Sequence, residues 1–405
     1  PSKIRGPFQP IASRTPGLHL CEHLPRTAAV SDKFCVVKTM THSYNDHSGG
    51  GHYIQTGHRW NVPIGGGFGA TTKDWPSMGS VVEYLSQQSS VEAARDLPNY
   101  VCLPNWLGAL QEKGQYRRPG QYAGWLGRGY DPLNTDIQKR DLKDNPYWRD
   151  CTDEELRFEI QGLASDDALT LDRLSGRRSL LEQFDAQVRA ADDGSSAESW
   201  DQFKQRALGL VTSDKTRAAL DIRREPDTLR DTYGRHLYGQ SCLMARRLVE
   251  AGVRFVTVHY DCCDGYSWDS HRSSHHLENH LIPTLDQALA ALLTDLADRG
   301  LLDETLVVAV GEMGRTPKAN DAWGRGHWST LFPAVLAGAG IRGGMVYGET
   351  DADAAYPIDK PTKPEDLAAT IYHALGISHE LRIPDPQGRP TPIVDEGRPV
   401  LELFG

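Results

Sequence analysis

Short apolar runs alternate with longer amphipathic stretches along most of the chain. Apolar, β-branched runs bounded by polar residues predict buried strands at Lys33–Met40, Tyr100–Asn105, Arg254–Asp261 and Thr305–Arg315. Apolar residues spaced three or four apart predict helices at Ser77–Gln87, Leu277–Gly300 and Pro364–Gly376. Strands alternating with helices predict an α/β fold.

The amino-acid composition of the chain changes between about residues 152 and 250. Charged, Ala- and Leu-rich stretches there carry helical periodicity, and they end in a helix for which Gly252 is the predicted C′ residue. We interpret this region as a helical insertion in a single α/β domain that spans residues 1–405.

The strand at Arg254–Asp261, the helix at Leu277–Gly300 and the strand at Thr305–Arg315 predict a βαβ unit. In open parallel sheets, ligands bind beyond the carboxyl ends of the strands. The loops that follow these strands carry carboxylates and imidazoles, the usual ligands of a divalent metal: Asp261, Asp264, Asp269, His271, Glu312 and His327. His275 and His276 are further candidates.

Each of these candidates also has a purely structural interpretation. Asp269 and His271 lie in the sequence Trp-Asp-Ser-His, and Asp and Ser favour capped turns whatever their function. Glu312 can cap a loop, and His327, in Gly-Arg-Gly-His-Trp, can occupy a packed corner. The coincidence of such residues at successive strand ends favours a metal site.

A further strand-end loop, residues 41–58, holds four histidines and three consecutive glycines. A helix that begins there offers free backbone N–H groups to an anionic substrate beside a nucleophile. His47 and Ser48 are the candidates, and the alternative is a His-rich turn without a role. Arg315 and Arg325 can clamp a phosphate or sulfate, although many arginines at strand ends are only solvated.

Composition excludes some classes of protein. The formal charge of the 405 residues is −10 and no dense Lys/Arg block is present, which argues against a nucleic-acid or anionic-membrane surface. The longest apolar runs fall short of the ~18–20 residues that a transmembrane helix needs. Seven scattered cysteines without a Cys-x-x-Cys pair do not define the cellular compartment.

A series of motifs follows one order along the chain: Ile-Arg-Gly-Pro-Phe at Ile4, Lys38–His42, His47–His58, Gly120–Pro132, Ala245–Val256, Trp268–His271, Leu301–Pro317, Gly324–Trp328 and Ala337–Asp351. Together they resemble the domain-of-unknown-function 1501 family, a branch of the alkaline phosphatase and sulfatase superfamily. The resemblance covers nearly the whole chain. It implies a mostly parallel central sheet flanked by helices, with two metals beside a nucleophile.

The resemblance also implies metal ligands. Asp269 and His271 would ligate one metal, and His327 would complete that site. Glu312 stands where the superfamily usually has an Asp-His pair for the second metal. Family members carry an Asp-containing first strand that would precede Pro1, so we expect this chain to lack that strand and to bind metal weakly or at one site.

The resemblance further implies the place of the nucleophile. In sulfatases a modified Cys or Ser lies nine residues before a Thr-Gly pair, and phosphatases have Ser or Thr there. In this chain that pair is Thr56–Gly57 and the residue nine positions earlier is His47, with Ser48 as the neighbouring hydroxyl. His47 is therefore a candidate ligand, general acid or base, or nucleophile. The Cys-x-Pro-Ser-Arg motif of ordinary sulfatases is absent from the sequence.

The expected function is hydrolysis of a phosphate or sulfate ester of a small molecule or glycan, with one or two ions of Zn, Ca, Mg or Mn. Arg315 would hold the anion, and Tyr122, Trp125 and Tyr130 would shape a pocket for the organic part. The resemblance implies an extracytoplasmic location, periplasmic or secreted. The alternatives are a non-catalytic metal- or glycan-binding protein and a phosphomutase-like transferase, and the sequence does not predict an oligomeric state.

Overall fold

The computed structural model describes residues 2–62, 69–89, 97–110, 116–141, 143–160, 214–260 and 268–405. The helices are α1 Ser2–Arg5, α2 Pro25–Ala29, α3 His47–Thr56, α4 Met78–Gln88, α5 Asp214–Leu220, α6 Asp227–Tyr233, α7 Leu237–Ala251, α8 Ile282–Asp298 and α9 Pro364–Ala374. The strands are β1 Pro10–Ala12, β2 His19–Cys21, β3 Phe34–Met40, β4 Tyr100–Leu103, β5 Leu133–Asp136, β6 Glu159–Ile160, β7 Phe255–Val258, β8 Val307–Val310, β9 Gly314–Arg315, β10 His327–Trp328, β11 Phe332–Ala337, β12 Met345–Tyr347, β13 Glu349–Thr350, β14 Pro357–Asp359, β15 Arg382–Pro384 and β16 Pro390–Pro392.

Two four-stranded mixed sheets carry the fold, in the strand orders β12-β3-β11-β8 and β6-β5-β4-β7. In the first, β12 runs parallel to β3, whereas β11 is antiparallel to both β3 and β8. In the second, β4 is parallel to β5 and β7, and β6 is antiparallel to β5. Helices flank these mixed sheets, so the predicted α/β class is confirmed.

The predicted strand–helix–strand order is present as β7, α8 and β8, but among the described residues it does not form the predicted βαβ unit of one parallel sheet. Its two strands stand in different sheets, and each is the last strand of its sheet among the described residues. The apolar run predicted as one strand at Thr305–Arg315 is divided into β8 and β9. This break matters for the site because Glu312 lies between the two parts.

Two helix ends predicted from the sequence are confirmed. The Ser77 side chain accepts a hydrogen bond from the backbone N–H of Ser80 and so caps α4. Gly252 ends α7 with φ of 105°, a left-handed conformation that glycine adopts without a steric penalty. A π-helical turn, Leu277–Leu281, precedes α8 within the predicted helix.

The described part of the helical region consists of α5, α6 and α7, and residues 161–213 lie outside the described residues. Arg246 on α7 is fully buried, and it forms ion pairs with Glu225 at 2.9 Å and with Asp295 on α8 at 2.8 Å. A buried charge is costly unless it is paired, and the ion pair with Asp295 joins α7 to α8. In the described ranges, no helix combines the length and apolarity that a bilayer crossing requires.

Candidate metal centre

The loop after β3 presents His47 at the first position of α3. Asp46 caps this helix, since its side chain accepts a hydrogen bond from the backbone N–H of Gly49 at 2.7 Å. The glycines of the first turn allow a close approach to the next element: a Cβ at Gly50 would lie 2.9 Å from the carbonyl oxygen of Glu312. The helix N-terminus therefore lies directly against the end of β8.

Glu312 is held between two histidines. Its Oε1 atom lies 2.6 Å from Nδ1 of His47, and its carbonyl oxygen lies 2.6 Å from Nε2 of His42. Nδ1 of His42 accepts from the backbone N–H of Tyr44 at 3.1 Å, so its Nε2 carries the proton and donates to Glu312. Since Nδ1 of His47 faces the Glu312 carboxylate, Nε2 of His47 is left for other contacts.

Asp269 is the centre of the cluster. Its Oδ1 atom lies 3.0 Å from Nε2 of His271, 3.0 Å from Nε2 of His327 and 3.4 Å from Nε2 of His47. An Nη2 atom of Arg315 lies 2.5 Å from the same oxygen. Three imidazoles and one guanidinium thus converge on a single carboxylate oxygen.

The short ladder between β9 and β10 sets two of these neighbours side by side. His327 is paired directly opposite Arg315 in the antiparallel register. Nδ1 of His327 donates to the carbonyl oxygen of Asn45 at 2.8 Å, which turns Nε2 towards Asp269. Glycine is required nearby as well, because a Cβ at Gly324 would lie 2.1 Å from the backbone oxygen of His271.

The charges of the cluster shift its pKa values strongly. Burial opposes protonation of His47, but hydrogen bonds to Asp269 and Glu312 outweigh it and raise the pKa of His47 to about 9. Burial alone would raise the pKa of Asp269, yet hydrogen bonds from His327 and His47 and the charge of Arg315 bring it well below its usual range. For Glu312, burial is likewise outweighed by the His47 contact, and the pKa is lowered.

The donor set fits a divalent cation. One ligand atom each from His47, Asp269 and His327 lies within 4.8 Å of the others. Nε2 of His271 is also 3.0 Å from Nε2 of His327. Neighbouring ligands on a tetrahedral Zn²⁺ lie about 3.3 Å apart, given bond lengths of about 2.0–2.1 Å. The observed separations of 3.0–3.4 Å match this spacing, and imidazole nitrogens with a carboxylate oxygen are typical zinc ligands.

Most of the site residues expected from the sequence meet in this cluster: His47, Asp269, His271, Glu312, Arg315 and His327. Ser48, the neighbouring hydroxyl, is only 2% exposed. Arg325, the other candidate for an anion clamp, donates from its guanidinium to the carbonyl oxygens of Thr316, Pro317 and Ile4. Asp261 and Asp264 lie outside the described residues.

The other candidates make different contacts. The ring of His276 stacks on Trp148 with centroids 5.0 Å apart, and Nδ1 of His275 lies 2.6 Å from the Ser273 hydroxyl. In the aromatic loop, Trp125 packs edge-on against Trp75 at 5.9 Å. Tyr130 packs in the same way against Tyr84 at 5.2 Å.

Asn45 lies two positions before His47 in the polar loop that the sequence singles out, but its contact with His327 was not predicted. A polar residue in a strand-end loop is a weak signal by itself. Its role depends on the distant residue His327, which no local pattern connects with it.

The chain is similar to several solved structures and matches one family model, whereas no curated protein sequence matches it. Among solved structures it is similar to Ps i-CgsB in complex with k-i-k-neocarrahexaose (TM-score 0.40, 11% identity, 88% of this chain and 67% of that chain). It is also similar to the phosphonate monoester hydrolase SpPMH from Silicibacter pomeroyi (TM-score 0.35, 11% identity, 94% and 71%). A third similar structure is the PsFucS1 sulfatase from Pseudoalteromonas sp. (TM-score 0.37, 12% identity, 88% and 63%).

These three TM-scores are all below 0.5, so the likenesses carry no argument about substrate or activity. The match to a family model is of another kind, because it extends over residues 2–404. That family is described as "Protein of unknown function (DUF1501)". The chain belongs to the DUF1501 family.

Proposed function

We propose that the chain is a metal-dependent hydrolase of phosphate or sulfate esters of small molecules or glycans. The observation that carries this proposal is the convergence of three imidazoles and a guanidinium within 3.4 Å of one oxygen of Asp269. A carboxylate and imidazoles suit a cation, and a guanidinium beside them suits the anionic group of an ester. The proposed hydrolase would use both.

We assign the cation to His47, Asp269 and His327, with His271 beside them as a fourth donor. When bound, the cation would supply Lewis acidity that polarises the ester and activates water. Glu312 was expected as a ligand of a second metal, but its carboxylate contacts Nδ1 of His47 instead. We therefore assign it to orienting the His47 ring.

Arg315 is the anion-binding residue of the proposal. Its guanidinium extends from β9 towards Asp269, at the oxygen where the three histidines meet, and its side chain is 19% exposed. A guanidinium presents several N–H groups to a phosphate or sulfate and keeps its charge at any physiological pH. Ser48 receives no role in the attack, because its hydroxyl belongs to a residue that is 2% exposed.

The test combines metal content with turnover. Elemental analysis of the purified chain should find a divalent metal, and the same sample should hydrolyse an aryl phosphate or aryl sulfate. His327→Ala and His47→Ala should lose both properties. His19→Ala, at an exposed position on β2, serves as a matched control and should keep them. A metal-free chain without turnover would overturn the proposal.

One observation favours a second candidate function, a non-catalytic metal- or glycan-binding protein. The position expected to hold a nucleophile is His47, whose two ring nitrogens face Glu312 and Asp269, and the adjacent Ser48 is buried. A chain that retains its metal but hydrolyses neither aryl ester would be assigned to this second function. Turnover that disappears with His327→Ala would exclude it.

We also propose that the protein works outside the cytoplasm, in the periplasm or as a secreted protein. The support is the family resemblance, and a glycan substrate is consistent with such a location. Fractionation of source cells, followed by detection of the native protein with an antibody, tests this. Recovery of the protein only with the cytosolic fraction would contradict it.

A further inference from the structure

Two segments far apart in sequence are joined beside the cluster. The loop between β3 and α3 and the segment that begins with His327 share three hydrogen bonds. Asn45 takes part in two of them: its carbonyl oxygen accepts from Nδ1 of His327 at 2.8 Å, and its Oδ1 atom accepts from the backbone N–H of Ser329 at 2.8 Å. The third runs from the backbone N–H of His42 to the carbonyl oxygen of Ser329 at 2.9 Å.

The contact with Asn45 fixes the tautomer of His327. A backbone carbonyl oxygen only accepts hydrogen bonds, so Nδ1 of His327 must carry a proton. In the neutral ring, Nε2 then has a lone pair, and this lone pair faces Oδ1 of Asp269 at 3.0 Å. A positive charge must lie between these two atoms: either a second proton on Nε2, which gives the hydrogen bond to Asp269 described above, or a bound cation with Nε2 and Oδ1 as two of its ligands.

The side chain of Asn45 holds this carbonyl in place. By binding the Ser329 N–H, it clamps the loop to the chain two residues beyond His327. The same loop continues through Asp46, which caps α3, into His47. Asn45 therefore connects His47, which follows β3, with His327 on β10. Their rings lie edge to face with centroids 4.6 Å apart.

We propose that Asn45 is a positioning residue for the cation: it fixes the Nδ1–H tautomer of His327 and its distance from His47. The inference rests on the proposed function in that it requires a cation at the cluster. It assigns no contact between Asn45 and the substrate. Partners that orient a metal-binding histidine typically contribute 10- to 100-fold to metal affinity.

The test is titration of the full chain with Zn²⁺. Asn45→Ala removes the acceptor for Ser329 and should weaken Zn²⁺ binding about 10- to 100-fold. Asn45→Asp keeps an oxygen at that place and should restore most of the affinity. Asn145→Ala is the matched control, because the Asn145 side chain also accepts from a backbone N–H, that of Tyr147 at 3.1 Å, in another part of the chain. It should bind as the unaltered chain does.

A spectroscopic measurement supplements the titration and does not require the Ala variant to fold. In NMR spectra of the Zn²⁺-bound chain with ¹⁵N-labelled histidine, the His327 resonances are those that disappear in His327→Gln. In the unaltered chain these resonances should show a protonated Nδ1 and an unprotonated Nε2. The opposite tautomer would overturn the inference. So would unchanged Zn²⁺ affinity in Asn45→Ala, and in that case metal-dependent turnover of the unaltered chain would leave the proposed function intact. A chain that binds no Zn²⁺ and has no turnover would overturn both.

Discussion

Oε1 of Glu312 lies 2.6 Å from Nδ1 of His47, and this contact determines what the rest of the imidazole does. Because Nδ1 faces a carboxylate, Nε2 is directed at Asp269, 3.4 Å away. Carboxylate–histidine pairs of this kind orient metal ligands and raise their basicity. We therefore propose that Glu312 orients the His47 ring, although it was expected as a ligand of a second metal.

We predict that Glu312→Ala weakens Zn²⁺ binding about 10- to 100-fold, since the His47 ring loses its orienting partner. Glu312→Gln keeps an oxygen acceptor and should lie between this variant and the unaltered chain. Titration with Zn²⁺ against a competing chelator measures the effect. Glu304→Ala, at an exposed position just before β8, is the control. Unchanged affinity in Glu312→Ala would contradict the assignment.

Arg315→Met should lower kcat/KM for an aryl phosphate or sulfate by about 10- to 100-fold, because a hydrogen bond to a charged group contributes about 1.5–3 kcal/mol. Metal content should remain near that of the unaltered chain, since the guanidinium is not a ligand. Arg272→Met removes the same charge from an exposed position next to His271 and is the control. Equal losses in the two variants would show that only net charge matters.

Gly50→Ala should lower the free energy of unfolding by about 1–3 kcal/mol, the usual cost of overpacking. The added Cβ would lie 2.9 Å from the carbonyl oxygen of Glu312 and 3.5 Å from Cε1 of His42. Gly51→Ala is a closely matched control, because it lies in the same helix and its Cβ would meet nothing within 4 Å. It should be neutral or stabilise the helix by up to about 1 kcal/mol. Urea denaturation measures both, and equal stabilities would exclude close packing at Gly50.

Three buried histidines predict loss of stability in acid. Burial lowers the pKa of His52 to about 3, and that of His236 and of His259 to about 4. The unfolded chain therefore binds more protons than the folded chain as the pH falls below about 6.5, and stability is lost in that direction. At pH 5.5 each of the three should cost about 1 kcal/mol.

One buried carboxyl acts in the opposite sense, as does His47, whose pKa is raised to about 9. Burial raises the pKa of Asp131 to about 6, so the folded chain takes up this proton first and gains less than about 1 kcal/mol at pH 5.5. Urea denaturation at pH 7 and pH 5.5 should still show a net loss. His259→Gln should make that loss about 1 kcal/mol smaller. A free energy of unfolding that is constant between the two pH values would contradict the prediction.

The sequence alone was enough to name most residues of the cluster as candidates. Strand ends can be predicted from the period of apolar residues, and parallel strands bring their carboxyl ends to one edge, so the loops that follow them are neighbours. For this reason Asp269 and His327 were expected at one place, and the family resemblance added His47 beside them. The capping of α4 by Ser77 and the end of α7 at Gly252 were predicted from equally local signals.

Only the tertiary structure decided which side chain contacts which. Arg315 and Arg325 lie ten residues apart, and both were candidates for binding an anion. In the structure, Arg315 on β9 contacts Asp269, whereas Arg325 donates to backbone carbonyl oxygens. Glu312 contacts His47 for two reasons. The predicted strand is interrupted between β8 and β9, and Gly50 in the first turn of α3 lets this helix approach Glu312 closely. A hydrogen bond depends on distances of a few tenths of an ångström between elements far apart in sequence, and no local pattern encodes them.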